Sequence, residues 1–142
     1  MKTEFEYSIK TSRDTSPAKL KIIDGLRRYN AAKLGYWGNS TNITIEVYKD
    51  KVLVAGIIAY YAGYFSKIGW LWVDEEHRSK GIGSKLLQLH ASHVRKNACT
   101  MVYTDTFNPQ AVKFYTTNGF QQIGVIENYI NSESCYFLRM LL

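Results

Sequence analysis

Within Arg78-Ser79-Lys80-Gly81-Ile82-Gly83-Ser84 the chain places two cations, two hydroxyls and two glycines. That combination suits the holding of a phosphate. Glycines let a backbone approach a bulky ligand with no Cβ in the way. If a helix opens at Gly81 or Ile82, its first N–H groups lack intrahelical partners and sit at the positive end of the helix dipole, where phosphates bind. Two familiar phosphate patterns are excluded. The dinucleotide fingerprint GxGxxG fails because Leu86 stands at the third glycine position, and the Walker pattern fails because no glycine is correctly placed before Lys85. What is left is R-x-x-G-x-G directly after an apolar stretch ending Leu71-Trp72-Val73. No His, Cys and Asp residues share metal-ligand spacing, and no Ser-His-Asp arrangement can be argued.

A second pattern follows. Asn108-Pro109-Gln110-Ala111-Val112-Lys113-Phe114-Tyr115-Thr116-Thr117-Asn118-Gly119-Phe120 reads as N-x-x-A-x-x-F-Y-x-x-x-G-F. With R-x-x-G-x-G and the strand between them, it resembles the GNAT superfamily of acetyl-CoA-dependent N-acyltransferases, over the C-terminal half of the chain. The resemblance implies that Arg78, Ser79, Lys80, Gly81, Ile82, Gly83 and Ser84 hold the pyrophosphate of acetyl-CoA. It implies that the backbone of Leu71, Trp72 and Val73 pairs with the pantetheine arm, with the Val73 N–H facing the thioester oxygen as an oxyanion donor. Asn108 matches a cofactor-contacting asparagine, and it is equally placed to cap the helix that follows. Tyr115 matches the tyrosine that contacts the cofactor and protonates the leaving thiolate. An unperturbed phenol titrates near 10 and a thiol near about 8.5, so the phenol holds its proton at neutral pH.

The residue that takes the proton from the acceptor stays open. Phe65–Val73 carries no carboxylate, and Glu46, Asp105 and His77 are all candidates, directly or through water. Asp74, Glu75 and Glu76 read as solvated turn residues, and His90 and His93 as packing or surface residues of a helix. In the family the segment after the first helix often covers the acceptor. Tyr29, Asn30, Tyr36 and Trp37 are therefore candidate substrate contacts, beside the plainer reading of core or surface aromatics.

The elements that must position these groups follow from periodicity. Glu4–Lys10 alternates weakly and reads as a first strand. Ser16 and Pro17 open a helix running to about Tyr29, with Leu20, Ile23 and Leu26 on its apolar face and a loop from Asn30 to Thr41. Asn42–Lys49 alternates as a half-buried strand, and Val52–Tyr61 is apolar enough to be buried on both faces. Short turns at Asp50-Lys51 and Gly63-Tyr64 make these two and Phe65–Val73 an antiparallel meander. A helix from Gly81 or Ile82 presents Ile82, Leu86, Leu89 and Val94 on one face. Cys99–Thr106 is a strand parallel to Phe65–Val73, because a helix connects them. A helix from Pro109 stops at Asn118-Gly119, and Phe120–Glu127 with Cys135–Leu142 closes a hairpin. Periodicity supports a mixed α+β fold. The resemblance implies a single GNAT-like domain over residues 1–142, with a mixed central sheet of about six to seven strands flanked by helices.

Composition sets the remaining bounds. At 46% hydrophobic and 21% charged, the chain has globular rather than disordered composition. No apolar run is long enough for a membrane span, and the N-terminus lacks a signal-peptide core. Cys99 and Cys135 form no CxxC and read as reduced thiols of a cytoplasmic protein. The net charge is +6, and between Glu76 and Asp105 there is no carboxylate but Arg78, Lys80, Lys85, Arg95 and Lys96. This is either a solvated helix face or a funnel for an anionic ligand such as coenzyme A. Nucleic acid is disfavoured, since no helix-turn-helix, zinc or aromatic RNA-binding motif accompanies the charge. The expected activity is direct transfer of acetyl from acetyl-CoA to a primary amine, on a small molecule or a peptide, in a ternary complex. The alternative is a non-catalytic acyl-CoA-binding or regulatory module. The aromatic content is compatible with a homodimer.

Overall fold

The computed structural model describes residues 6, 8, 9, 11, 16–35 and 40–142. The chain divides into two compact units, Met1–Trp37 and Gly38–Leu142. The expected strand at Glu4–Lys10 falls mostly outside the described residues, as do Tyr36 and Trp37.

The first unit contains helix α1, Pro17–Leu34. Ser16 caps it, its side chain accepting the Lys19 N–H at 3.1 Å, and Pro17 occupies the first turn, as expected. The helix does not stop at Tyr29. Ala31 and Ala32 favour its continuation, and the stop is Gly35, left-handed at φ 65°, whose N–H closes onto Ala31 O. Tyr29 lies within the helix, and Asn30 is a helical residue and not the start of a loop. An Asp24–Arg28 pair (2.9 Å) spans one turn of the exposed surface.

In the second unit, strands β1 (Thr41–Lys49), β2 (Val52–Ala62) and β3 (Phe65–Val73) form the antiparallel meander. Asp50 and Lys51 both have positive φ, 49° and 66°, the backbone of a two-residue hairpin turn. After a single 3-10 turn at Glu75–His77, helix α2 (Ile82–Lys96) returns the chain to β4 (Met101–Thr106), which lies parallel to β3. Helix α3 (Pro109–Thr117) leads to the hairpin of β5 (Gln121–Ile130) and β6 (Glu133–Leu141). The result is a six-stranded mixed sheet in the order β1-β2-β3-β4-β6-β5. Both hairpin strands run longer than the sequence indicates, because only Asn131 and Ser132, with φ 46° and 66°, are needed for the turn.

The core lies between one sheet face and the helices α2 and α3. Ala55, Ile57 and Ala59 of β2, Ile68 of β3, Val102 of β4 and Leu138 of β6 meet Leu86, Leu87 and Val94 of α2 and Tyr115 of α3. Two expectations change. The buried face of α2 is Leu86, Leu87, His90, Ala91 and Val94, and Leu89 is half-exposed. The helix has rotated toward His90, which finds a polar partner on the sheet. And β2 is not buried on both faces. Ile58, on the second face beside Trp70 of β3, is half-exposed. That face carries Tyr60, Lys67, Tyr103 and Asp105, which alternation sets opposite the core residues, and Trp70, which a bulge after Ile68 turns to the same side.

His90 has no exposed surface, and its Nε2 lies 2.9 Å from Ser66 Oγ. The Ser66 hydroxyl donates its one proton to Tyr60 O (2.9 Å), so it accepts from His90 Nε2–H. Nδ1 is then the unprotonated nitrogen, buried without a partner. Protonating it would bury an unsatisfied charge, and burial, with a smaller contribution from His93, lowers the pKa from 6.5 to about 4. The folded pKa lies below the unfolded one. The stabilisation from neutral His90 is therefore full above pH 6.5 and is lost as pH falls from 6.5 through 4. The loss amounts to roughly 3 kcal/mol. Denaturant unfolding at intervals across that range should show it, and His90→Gln, which keeps a donor for Ser66, should flatten the curve there.

Candidate functional site

Strands β3 and β4 pair only at Phe65–Met101, Ser66–Val102 and Lys67–Tyr103. One further link, from the Thr104 hydroxyl to Ile68 O (3.1 Å), holds them before they part. Beyond it the sheet is split. On the β3 side of the split a bulge inserts Gly69 between Ile68 and Trp70, which pair with Ala59 and Ile58.

The split exposes particular backbone groups. Asp74 N–H donates to Val54 O at 2.8 Å, so Val54 and Asp74 are a hydrogen-bonded pair. In an antiparallel ladder such pairs alternate. The register Ala55–Val73, Gly56–Trp72, Ile57–Leu71 therefore turns the peptide groups of Trp72 toward β2 and those of Leu71 and Val73 toward the split. Arg78 Nε donating to Val73 O at 3.0 Å agrees with that orientation. Of the three residues named from the sequence, Leu71 and Val73 present backbone to the split, and Trp72 does not.

Leu71, Trp72, Val73, Arg78, Ser79, Gly81, Ile82, Gly83, Ser84 and Asn108 line one cavity of about 490 Å³. Gly81 is left-handed at φ 79° and starts α2, whose hydrogen bonding begins with Lys85 N–H to Gly81 O. The N–H groups of Ile82, Gly83 and Ser84 precede that bond. No side chain caps α2 and no acid stands in its first turn, whereas Ser16 and Asn108 cap α1 and α3. This uncapped start, beside Arg78, fits a pyrophosphate. Gly83 is glycine for a different reason. A Cβ there would lie 3.0 Å from Phe114 Cζ, so its absence lets α2 and α3 touch.

Lys80 stands apart. Its Nζ bonds Glu76 O (3.1 Å), and with Lys85 it borders a separate cavity of about 270 Å³ against Val47 and Leu89. Arg95 and Lys96 lie at the far end of α2, roughly 20 Å away at 1.5 Å per residue. The basic run is therefore not one patch. Only Arg78, Lys80 and Lys85 are near the turn, and Arg95 and Lys96 complement the C-terminal end of the helix dipole.

A second cavity of about 770 Å³ shares Leu71, Asn108 and Ala111 with the first, and is lined also by Tyr60, Lys67, Trp70, Thr104, Asp105, Phe107 and Tyr115. Asn108 serves as the α3 cap, its Oδ1 accepting Gln110 N–H at 3.0 Å, and still lines both cavities. Tyr115 is buried on the inner side of α3. Its ring is edge-on to Phe114 (5.3 Å) and Phe120 (5.1 Å). Burial raises its phenol above 10; the Thr104 hydroxyl opposes that shift and the Asp105 charge adds to it.

The candidate bases are sorted by position. Glu46 is exposed on β1 and accepts the Tyr48 hydroxyl (2.9 Å). His77 Nδ1 is 3.2 Å from Asp74 Oδ2, in the first cavity. Asp105 lies in the second, 3.3 Å from Lys67 Nζ. His93 is exposed, its ring 6.0 Å from Tyr61. Tyr103 keeps its proton, burial and the Tyr60 hydroxyl pushing it up to about 12. Among the described residues no cluster of His, Cys, Asp and Glu could hold a metal, and no helix is long and apolar enough to cross a membrane. Thr104, Lys67 and Gly69 had no signal in the sequence, since their role depends on which strands pair and where pairing ends.

Comparison with known proteins agrees with this architecture. Residues 41–122 match the acetyltransferase (GNAT) domain model. An acetyltransferase of Agrobacterium fabrum is 33% identical over 122 residues, covering 85% of this chain and 88% of that one. A crystal structure assigned as an acetyltransferase from Agrobacterium tumefaciens superposes with a TM-score of 0.87 at 27% identity, covering 97% of this chain and all of the other. A Bacillus anthracis structure assigned as a streptothricin acetyltransferase, in complex with acetyl coenzyme A, gives 0.67 at 17% identity over 77% of this chain and 67% of its own. With its split mixed sheet and the uncapped start of α2, the chain belongs to the GNAT acetyltransferases.

Proposed function

We propose that this acetyltransferase acts on a primary amine, carried by a small molecule or a peptide, by direct transfer within a ternary complex in the cytoplasm. The observation that carries this reading is the meeting of two cavities at Leu71, Asn108 and Ala111, next to Tyr115. One holds the phosphate-binding turn, and the other has room for an acceptor. Bound acetyl-CoA supplies the acetyl group as a thioester. Arg78 and the N–H groups opening α2 anchor the phosphates. The peptide groups of Leu71 and Val73 extend the β3 edge toward the pantetheine, and Val73 N–H faces the developing oxyanion. Tyr115 gives its proton to the departing sulfur.

Direct transfer is favoured over a covalent acetyl-enzyme because neither cavity is lined by cysteine, and burial raises the thiols of both Cys99 and Cys135. Free, buried cysteines also support a reducing compartment. The test is release of free thiol from acetyl-CoA across a panel of amines, followed by two-substrate kinetics on the best acceptor. Intersecting double-reciprocal lines are expected. Parallel lines would replace the ternary complex by an acetyl-enzyme, and turnover with alcohols but no amine would reject the acceptor class.

A further inference from the structure

We propose that Asp105 is the group that takes the proton from the acceptor nitrogen, and that Lys67 holds its carboxylate in position for this task; the assignment rests on the amine-acceptor reading above. Three observations converge on Asp105. It is the one carboxylate among the described residues lining the cavity that contains Tyr115. It stands one residue beyond Thr104, the last link between β3 and β4, and so at the vertex where the sheet opens. And it lies on the opposite face from the acid. Thr104 points to the core side, where Tyr115 lies, so alternation sends Asp105 to the second face. The split lets both reach one cavity, the proton donor for sulfur from one face and the proton acceptor for nitrogen from the other. The charge of Asp105 is felt at the Tyr115 phenol across that gap.

The surroundings hold the carboxylate in place. Lys67 from β3 approaches to 3.3 Å, and its Nζ also lies over the Tyr103 ring at 5.7 Å. Tyr103 of β4 keeps its proton beside it, while Cys135 and Arg139 of β6 share its face. Glu46 and His77 are bonded elsewhere and do not line this cavity.

The step balances as follows. The acceptor enters as an ammonium and gives one proton to the Asp105 carboxylate. The freed nitrogen lone pair forms the N–C bond, and the C–S bond breaks, with the sulfur taking the Tyr115 proton. The second nitrogen proton restores the phenol, and Asp105 releases its proton to water. One amide, one thiol and one proton result.

The experiment compares wild type, Asp105→Asn and Lys67→Met in acetyl transfer to the best primary amine, from about pH 6 to about pH 10. Asp105→Asn should be slower by about 10²-fold near neutral pH. The deficit should shrink as pH approaches the acceptor's own pKa of about 10, where the amine is already neutral. Its acetyl-CoA affinity by calorimetry should be unchanged. Lys67→Met breaks the same ion pair but keeps the carboxylate, so it should lose less rate at neutral pH than Asp105→Asn. An Asp105→Asn protein within twofold of wild type at neutral pH overturns the assignment. So does a deficit of the same size at every pH, or a Lys67→Met protein as impaired as Asp105→Asn throughout, since the pair would then only brace the cleft. A wild-type protein that acetylates no amine overturns the acceptor reading and the assignment with it.

Discussion

Replacing Tyr115 by phenylalanine is expected to slow acetyl transfer by about 10²-fold while leaving acetyl-CoA affinity nearly unchanged. The low end of the general-acid range applies because a thiolate is already a fair leaving group and water can substitute. The fold should survive. The ring stays wedged between Phe114 and Phe120, and the Thr104 hydroxyl keeps its bond to Ile68 O. Removing a buried hydroxyl costs about 1 kcal/mol. The pH profile gives the sign. An acid works only while protonated, and burial raises this phenol above 10, so the wild-type rate should hold past pH 10 and fall as the phenol ionises. In Tyr115→Phe that alkaline decline should vanish. Single-turnover transfer at saturating acetyl-CoA measures the step itself. A mutant within twofold of wild type would leave Tyr115 as a packing residue beside the cofactor.

Gly83→Val should lose roughly two orders of magnitude in acetyl-CoA affinity, the worth of one or two hydrogen bonds to a charged group. The mechanism is packing as much as obstruction. The new Cβ would meet Phe114 Cζ at 3.0 Å and Cε2 at 3.1 Å, with Val73 Cγ2 at 3.8 Å. Phe114 lines the same cavity, so whichever helix yields, the start of α2 and its cavity wall separate. Overpacking of this kind also costs about 1–3 kcal/mol of stability. Gly81→Ala is the instructive comparison. Nothing lies within 4 Å of a Cβ there, but φ is +79°, so the penalty is backbone strain alone, about 1 kcal/mol or somewhat more. Calorimetry on both variants, with folding checked by thermal denaturation, separates the two roles. Unchanged affinity in folded Gly83→Val would remove the pyrophosphate from this helix start.

Much of the local structure was legible in the residues alone. The helix start at Gly81 or Ile82, the Asn108 cap with Pro109 behind it and the Asn118-Gly119 stop are short-range devices, decided within one turn of chain. The strands of the meander were readable for the same reason, from alternation and two tight turns. Boundaries drifted where nothing local breaks a helix, as at Ala31 and Ala32, which carry α1 on to Gly35.

What only the tertiary structure decided is the site between the strands. Which face of α2 is buried depended on Ser66, twenty-four positions from His90 in sequence, offering a hydrogen bond. Which backbone groups of β3 face outward depended on its register with β2, and a shift of one residue would have exchanged Trp72 for Leu71 and Val73. Lys67 and Asp105 are thirty-eight residues apart, on strands that a helix must first bring side by side. They mark the place where pairing ends. Periodicity tells which residues can form strands, but where two strands cease to pair is set by the bulge at Gly69 and the helices packed behind the sheet, and these are long-range contacts that no local pattern encodes.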